Sequence, residues 1–374
     1  MLNSLGRSCI RCLGPVTATV ALIFSSAAFA QHYQQTNLVA DSKSVSSTAT
    51  IDANLVNAWG VARSSSSPWW VSDNGTGLST LYDSTGAIVP LVVTIPPPMN
   101  GAPPSAPTGT VFNFTKDFKV KPGKPAVFLF ATEDGTISGW NPGVNPTSAV
   151  LKVDNSQHGA IYKSLAIAKK GAVSRLYTSN FATGQVEIYD ANFQPVTIAG
   201  AFQDSNLPTN YVPFGMQNVG GNIVVTFAHR TPGSEDEDHG TGKGYVDIFD
   251  FNGSLLLRLQ HGPFLNAPWG IALAPGDFGT FSHRLLIGNF GDGKIHAFNM
   301  VSGLVEGTLL NPDGTPLSID GLWALSFGGD GTRNGVPTNG LATELFFTAG
   351  PNDEADGLYG KITPVASENR GNSE

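Results

Sequence analysis

Cysteine is almost absent from this chain of 374 residues, and both copies, Cys9 and Cys12, lie close to the amino terminus. The rest of the chain therefore forms no disulfide, holds no metal through thiolates and uses no cysteine nucleophile. Its stability has to come from its core, and a chain of about 340 residues is long enough to bury a large one.

Charged residues are also few, at 13% of the chain. Without Arg7 and Arg11, which lie in an amino-terminal segment described below, 19 Lys and Arg stand against 29 Asp and Glu, a net charge of −10. No basic cluster is evident along the sequence. Phosphate binding needs concentrated Lys and Arg, so nucleic acid is not an expected partner.

Short motifs of several enzyme classes are missing as well. The sequence contains no His-Glu-x-x-His zinc helix, no Gly-x-Ser-x-Gly elbow and no P-loop. Its seven histidines are scattered, so a three-histidine zinc site is not indicated. A hydrolase that uses paired carboxylates stays open, because distances across a fold are not readable from spacing.

The first thirty residues have the pattern of a secretory signal. Arg7 and Arg11 precede the apolar stretch 16–24, and Ala28-Phe29-Ala30 matches a signal-peptidase site. We therefore expect cleavage after Ala30, export to the periplasm or cell exterior, and no membrane insertion afterwards. The alternative is a retained amino-terminal anchor. Residues 365–374 form a polar carboxyl-terminal tail.

Glycine and proline are abundant, at 44 and 25 residues, and this balance favours short strands joined by tight turns. One phrase recurs six times at a spacing of about 50 to 55 residues, which suits a four-stranded propeller blade. In each copy of this sequence motif, an aromatic or apolar pair opens the first strand, the second strand ends in Asp or Asn, and a third strand follows after a turn. The copies start near Trp59, Gly109, Ser164, Phe214, Trp269 and Leu322.

A fourth strand is predicted after five of the copies, at 91–95, 150–153, 196–199, 255–259 and 305–309. The sixth copy has none, and the strand-like stretch 33–39 has no repeat of its own, so we expect it to supply the outer strand of the last blade. The prediction is an all-β, six-bladed β-propeller over residues 31–364. The alternative, a β-sandwich or two all-β domains, does not explain the fixed interval.

In such a blade, the residues that start the innermost strand and the turn between the second and third strands lie on one face. Loops on a rigid scaffold often bind ligands, which makes this the predicted binding face. The predicted ligand-binding residues are Asn57, Trp59, Phe214, Trp269, Asp320 and Trp323; Tyr162 and Lys163 start the third copy. The turns add Asn180, Asn289 and Asp292 and several acidic residues, among them Glu133, Asp134, Glu354 and Asp356. The alternative is structural: Asp and Asn cap turns, and the aromatic residues pack blades together.

Three Gly-rich loops carry dense oxygen donors, which suit Ca²⁺. They run 73–77, 234–240 (after His229 and Arg230) and 352–357. The candidate ligands are Asp73, Asn74, Asp236, Asp238, Asn352 and Asp353, and calcium is the one candidate cofactor. No loop has EF-hand spacing, and an acidic run is more often a solvated loop.

Several phrases resemble a family of uncharacterised, exported bacterial propellers that is similar to NHL-repeat proteins. They include 54–60 (NLVNAWG), 70–77 (WVSDNGTG), 266–270 (NAPWG) and 346–358 (FFTAGPNDEADGL). The resemblance implies a six-bladed propeller outside the cytoplasm and no particular activity. Some members carry a PEP-CTERM sorting tail, which this sequence lacks.

Three functions follow as hypotheses. The first is a monomeric binding module for a protein segment, glycan or small molecule. The second is a metal-dependent hydrolase or lyase similar to gluconolactonase-like propellers, whose metal ligands start inner strands; only Asn57 and Asp320 fit that role here. The third is a structural envelope or matrix protein whose loops Ca²⁺ stiffens.

Overall fold

The computed structural model describes residues 31–368, and these residues form an all-β fold. The predicted signal peptide, residues 1–30, lies outside the described residues, as do residues 369–374 of the predicted tail. Among the described residues, no helix has the length and apolar character needed to cross a membrane.

Six sheets, antiparallel except for one short outer strand in the last, follow one another along the chain as blades 1 to 6 of a β-propeller, which confirms the predicted fold class. From the innermost strand outward, blade 1 contains Ala58–Ala62, Trp69–Asp73, Leu78–Tyr82 and Val93–Thr94, and blade 2 contains Pro107–Phe112, Phe128–Thr132, Thr136–Trp140 and Val150–Asp154. Blade 3 contains Tyr162–Lys170, Val173–Asn180 and Gln185–Tyr189, and blade 4 contains Tyr211–Val219, Asn222–His229, Gly244–Phe249 and Leu255–Arg258. Blade 5 contains Pro268–Leu273, Leu285–Asn289, Ile295–Phe298 and Val305–Thr308.

Blade 6 closes the ring with the amino-terminal strand, as the sequence predicted. Its strands in order are Leu322–Phe327, Leu345–Ala349, Leu358–Pro364, Tyr33–Ala40 and the short Thr50–Ile51. Tyr33–Ala40 runs antiparallel to Leu358–Pro364, with Tyr33 opposite Pro364 and Ala40 opposite Leu358. Two hydrogen bonds from His32, through its backbone N–H and Nδ1, hold Glu368 beside this closure at 2.8 and 2.9 Å.

Blade 3 differs from the prediction at its outer edge. The stretch 196–199 forms no strand. The chain here pairs with the blade only through a bridge between Tyr189 and Pro195 and a hydrogen bond from the Val196 N–H to the Ile188 carbonyl at 2.8 Å. A tight turn at Asp190–Gln194 starts the return, but the chain then leaves the sheet, because Ile198 and Ala201 pack against the core shared with blade 4.

Smaller elements decorate the loops. They are the hairpins Lys119–Lys121 with Lys124–Pro125 and Thr332–Arg333 with Val336–Pro337, and the 3-10 helices Ser156–His158, Gly279–Phe281 and Ala366–Glu368.

Close packing of the innermost strands explains the glycine of the recurring aromatic-Gly motif. A Cβ on Gly60 would lie 2.3 Å from the Thr108 carbonyl oxygen of blade 2, and a Cβ on Gly215 would lie 2.2 Å from the Trp269 carbonyl oxygen of blade 5. Innermost strands of adjacent blades therefore pack backbone against backbone where glycine stands. This close approach narrows the central channel.

Hydroxyl groups fasten neighbouring blades around the channel. Thr108 of blade 2 donates to the Tyr162 carbonyl of blade 3 at 2.7 Å, and Ser179 of blade 3 donates to the Phe214 carbonyl of blade 4 at 2.8 Å. Thr348 of blade 6 likewise donates to the Trp59 carbonyl of blade 1. Buried apolar side chains fill the space between adjacent blades.

The strand order gives the propeller two faces. We call the upper face the one that carries the connections between blades and the turns between second and third strands. The lower face carries the turns between first and second strands and between third and fourth strands. The binding face predicted from the sequence is the upper face.

Candidate functional site

Aromatic side chains close the upper end of the channel. Trp59, Phe214, Trp269 and Trp323, all predicted to line a ligand, are buried, with at most 8% of any of them exposed. Trp59 and Trp323 stack with ring centroids 3.7 Å apart, and Trp269 meets both edge-on. We call the group that they form with Phe181 and Phe290 the aromatic plug. It packs the channel, so these rings support a site instead of facing solvent.

Lys163 of blade 3 lies directly on the plug and is 1% exposed. Its Nζ is 5.3 Å from the centroid of Trp59 and 5.4 Å from that of Phe181. The same Nζ contacts Glu133 Oε1 at 2.5 Å and Asp236 Oδ1 at 3.3 Å. Burial alone would lower the pKa of Lys163, but the charges of the surrounding carboxylates, Glu133 first, outweigh it and raise that pKa. The lysine is therefore a permanent buried cation.

A chain of amide and carboxylate hydrogen bonds surrounds this cation. Asn57 Nδ2 donates to Asn74 Oδ1 at 3.2 Å and to Glu354 Oε2 at 2.6 Å, and Asn74 Nδ2 donates to Glu133 Oε2 at 2.8 Å. Asn57 in turn accepts from the indole N–H of Trp323 at 2.8 Å. Blades 1, 2 and 6 thus meet above the plug.

Glu354 is placed by a strained turn. Asn352, Asp353 and Glu354 have φ values of 57, 53 and 66°, three successive non-glycine residues in the left-handed region. Such strain persists where surrounding contacts fix it, and it is concentrated at functional sites. Burial, and then the charges of Glu237 and Glu133, raise the pKa of Glu354 to about 7.

The insertion of blade 4, residues 230–243, forms one wall. The Glu237 side chain is only 3% exposed, and its Oε1 is 3.5 Å from Nε2 of His239. The His239 ring packs edge-on against Phe290 of the plug at 5.0 Å. The contact with Glu237 raises the pKa of His239, against the effect of burial. His229 Nδ1, 2.6 Å from Asp238 Oδ2, anchors the insertion.

We call these eight residues from blades 1, 2, 3, 4 and 6 the upper polar cluster: Asn57, Asn74, Glu133, Lys163, Asp236, Glu237, His239 and Glu354. The sequence predicted that these residues or their loops lie on the upper face, without showing which of them meet. It gave Glu237 and His239 no role of their own, although the acidic insertion was a visible signal.

Other predicted site residues lie elsewhere. Asp73 is fully buried, and its Oδ1 accepts from Thr80 at 3.1 Å; burial raises its pKa well above the usual value. Asp320 Oδ2 accepts from the Asn352 backbone N–H at 3.0 Å, which is turn chemistry. Asp238 is engaged by His229.

The fit to a metal is poor across residues 31–368. In that range no three His, Cys, Asp or Glu side chains are arranged so that they could hold a metal ion. The positions that start the inner strands are mostly occupied by the buried plug. Calcium accordingly stays a prediction of the sequence, and no step is assigned to a metal.

A cavity of about 540 Å³ opens at the outer edge of blade 3, beside residues 185–189 and 195–201. Its polar wall is Glu187, whose Oε2 accepts from the hydroxyls of Tyr162 and Tyr189 at 2.7 and 2.6 Å. Its Oε1 accepts from Asn180 at 2.6 Å. Because neutral donors already satisfy this carboxylate, we place the candidate site at the upper polar cluster.

The fold and the cluster define a class of protein: a six-bladed β-propeller that gathers polar side chains of several blades above a closed channel. Sequence comparison then gives the family. The chain is 32% identical over 323 residues to Uncharacterized protein R648 of Acanthamoeba polyphaga mimivirus, spanning 84% of this chain and 76% of that protein. It is 30% identical over 327 residues to Uncharacterized protein L690 of the same virus, spanning 84% and 82%. The chain belongs to the family of these mimivirus proteins.

No family model matches the chain. The relatives that establish the family are viral, which corrects the expectation of a bacterial family; that they are uncharacterised agrees with it.

Solved propellers share the fold. A glucose dehydrogenase aligns with a TM-score of 0.52 at 12% identity, covering 88% of this chain and 99% of that one. A streptogramin B lyase aligns with a TM-score of 0.51 at 12% identity, covering 90% and 98%. At such identities the likeness shows the fold alone.

Proposed function

We propose that this propeller binds a ligand bearing a positive charge, in the upper polar cluster. One observation carries the proposal: four carboxylates, from Glu133, Asp236, Glu237 and Glu354, surround a single permanent ammonium group, that of Lys163.

The charge balance favours a cation. Lys163 is shared by Glu133 and Asp236, at 2.5 and 3.3 Å, and His239 compensates Glu237 only when its ring is protonated. At least two of the four negative charges remain in excess when all four carboxylates are ionised. A partly desolvated site with excess negative charge attracts and orients a cationic group, because Coulomb attraction is strong where water is scarce.

Access is from above. The Asp236 side chain is 78% exposed and that of His239 50%, whereas the plug closes the floor. A ligand would therefore contact the carboxylates and Asn57, and the rings of Trp59, Trp269 and Trp323 would hold those groups in place. This agrees with the binding module expected from the sequence and makes its ligand class specific.

The test is calorimetric titration of residues 31–374 at pH 8, where Glu354 is ionised, with the diamine putrescine and its uncharged analogue butanediol. We expect saturable binding of putrescine alone. Glu354→Gln should weaken it at least about tenfold, because a charge–charge contact is lost.

The matched control is Glu235→Gln, which removes an exposed charge from the same insertion outside the cluster. Binding of both compounds alike, or equal losses in the two variants, would contradict the proposal. Neutral oligosaccharides tested in parallel decide whether a glycan is the ligand instead.

A second candidate function is acid–base catalysis without a metal. The observation that favours it is the pKa of Glu354, about 7, next to a His239 whose pKa is also raised, since catalytic acids and bases work best near ambient pH. Turnover of a panel of lactones and polysaccharide fragments that Glu354→Gln abolishes would establish it. Turnover unchanged in that variant would exclude Glu354.

A further inference from the structure

The lower face carries a charge opposite to that of the upper cluster. The loop of blade 2 from residue 113 to 126 contains Lys116, Lys119, Lys121 and Lys124, and all four are exposed. Lys169 and Lys170, at the first hairpin of blade 3, are exposed as well. No basic cluster is visible along the sequence, because the two groups are about 50 residues apart, in successive repeats.

The fold brings the two groups together. Asp117 Oδ2 of the blade 2 loop accepts from the Ser174 hydroxyl of blade 3 at 2.7 Å. The Phe118 N–H donates to the Ala191 carbonyl at 2.9 Å, and the Phe118 ring packs edge-on against Phe193 at 5.5 Å. These three contacts dock the loop on blade 3, so the six lysines share one surface.

The hairpin turns its lysines outward. In Lys119–Lys121 the burial alternates, with Val120 only 7% exposed between two exposed lysines. The acids near this surface are engaged: Asp117 accepts from Ser174, and Asp190 Oδ1 accepts from the N–H groups of Asn192 and Gln194 at 2.8 and 2.9 Å. Both carboxylates keep their negative charge, but neither forms an ion pair with any of the six lysines in the described part of the chain, so positive charge predominates on this surface.

Large apolar side chains stand among the lysines. Phe114, in the same loop, is 53% exposed, and Val173, next to Ser174, is 50% exposed. We call this surface, formed by Phe114, Lys116, Lys119, Lys121, Lys124, Lys169, Lys170 and Val173, the basic lower patch. Exposed apolar groups within a basic patch suit the interface of a bilayer, where lysines meet anionic headgroups and a ring enters the acyl boundary.

We propose that the basic lower patch docks the propeller on an anionic lipid surface. All of its cations are lysines, which act as point charges on headgroups. A soluble polyanion could also bind the lysines, but it would leave the two apolar side chains exposed to water. Docked in this way, the molecule presents the upper polar cluster away from the membrane. The proposal stands independently of what the upper cluster binds.

The experiment is co-sedimentation of residues 31–374 with vesicles of phosphatidylcholine, with and without phosphatidylserine, at low and high salt. We expect binding to phosphatidylserine vesicles at low salt and its loss at high salt. Lys119→Glu with Lys121→Glu should weaken binding at least about tenfold, since each basic residue near the surface contributes several-fold. The single variants Lys121→Glu and Lys43→Glu change the net charge by the same amount. Lys43 is exposed on the upper face, so Lys43→Glu should not change vesicle binding, whereas Lys121→Glu should weaken it.

A second readout uses the absence of cysteine after residue 30. Phe114→Cys and Lys43→Cys give single sites for an environment-sensitive fluorophore, and its emission should shift to the blue on phosphatidylserine vesicles at 114 and not at 43. No vesicle binding at low salt would overturn the proposal. So would equal losses from Lys43→Glu, or binding to heparin or DNA without binding to vesicles.

Discussion

Trp323 and Asn57 join the last blade to the first through one buried hydrogen bond of 2.8 Å, from the indole N–H to the side-chain oxygen. The amide of Asn57 then donates to Asn74 and Glu354. One side chain therefore connects the aromatic plug below to the polar cluster above.

Asn57→Ala should lower the free energy of unfolding by about 2 kcal/mol or more, because the Trp323 N–H would be left buried without an acceptor. Asn57 has a φ of 47°, so part of any loss comes from the backbone. Asn210→Ala is the control: Asn210 is exposed, has a φ of 70°, and carries the same backbone penalty without these contacts. Urea unfolding measures both, and equal losses would show that the hydrogen bonds of Asn57 contribute nothing.

Glu354 should make stability depend on pH. Its pKa is raised from 4.5 to about 7 in the folded state, so the folded chain holds a proton that the unfolded chain releases between these values. The stabilisation is present below about pH 4.5 and is lost as the pH rises through 7, by up to about 3 kcal/mol. Glu354→Gln should therefore be more stable than the parent at pH 8 and similar to it at pH 4.5. A stability difference that does not change with pH would contradict this assignment.

Lys163→Met should destabilise the fold by about 3 to 5 kcal/mol, because it leaves Glu133 and its neighbours as uncompensated charges beside a buried plug. Lys294→Met removes a half-exposed ion pair with Asp292 and should change stability by less than about 1 kcal/mol. Chemical denaturation compares the two. Similar small effects would mean that water, and not Lys163, neutralises the cluster.

Gly215→Ala tests the packing of the innermost strands. The new Cβ would meet the Trp269 carbonyl oxygen 2.2 Å away, so a backbone has to move, at a cost of about 1 to 3 kcal/mol or more. At Gly143, by contrast, a Cβ would meet only the ends of the Asn141 and Lys124 side chains. Gly143→Ala should therefore leave the melting temperature nearly unchanged. If Gly215→Ala also left it unchanged, the innermost strands of these blades would not be in backbone contact.

The calcium hypothesis predicts a rise of several degrees in melting temperature with Ca²⁺, compared with EDTA, for residues 31–374. Deletion of residues 235–238 should abolish that rise if the acidic insertion holds the ion. If the rise in melting temperature persists after the deletion, the ion binds elsewhere, and the loop that contains Asp353 is the next candidate. If the melting temperature does not respond to Ca²⁺, Mg²⁺ or Zn²⁺, these carboxylates do not bind a metal ion. Their role is then to cap turns and to set the charge balance of the upper cluster.

Much of the architecture was readable from the sequence, because a repeat imposes the same strand order six times. The closing strand was predicted for a physical reason, since the sixth copy lacked an outer strand and residues 33–39 lacked a repeat. The missing strand at 196–199 was not predictable, because burial of Ile198 against blade 4 competes with pairing and depends on tertiary contacts.

The site was readable only in part. The sequence placed Lys163, Glu133 and Glu354 on the face where the structure has them, and that this face binds a ligand stays a prediction. Their meeting was not readable, because Glu133 and Glu354 come from different blades and approach the same lysine only through the curvature of the ring. The aromatic residues looked equally suited to a binding surface and to a core, and the structure buries them.

The closure of blade 6 also has a consequence for biosynthesis. Tyr33 pairs with Pro364, so strand Tyr33–Ala40 has no antiparallel partner until the distant strand Leu358–Pro364 has been made. Contacts this far apart in sequence slow folding, because a long loop has to close before they form. A chaperone that covers residues 33–40 would therefore hold the ring open.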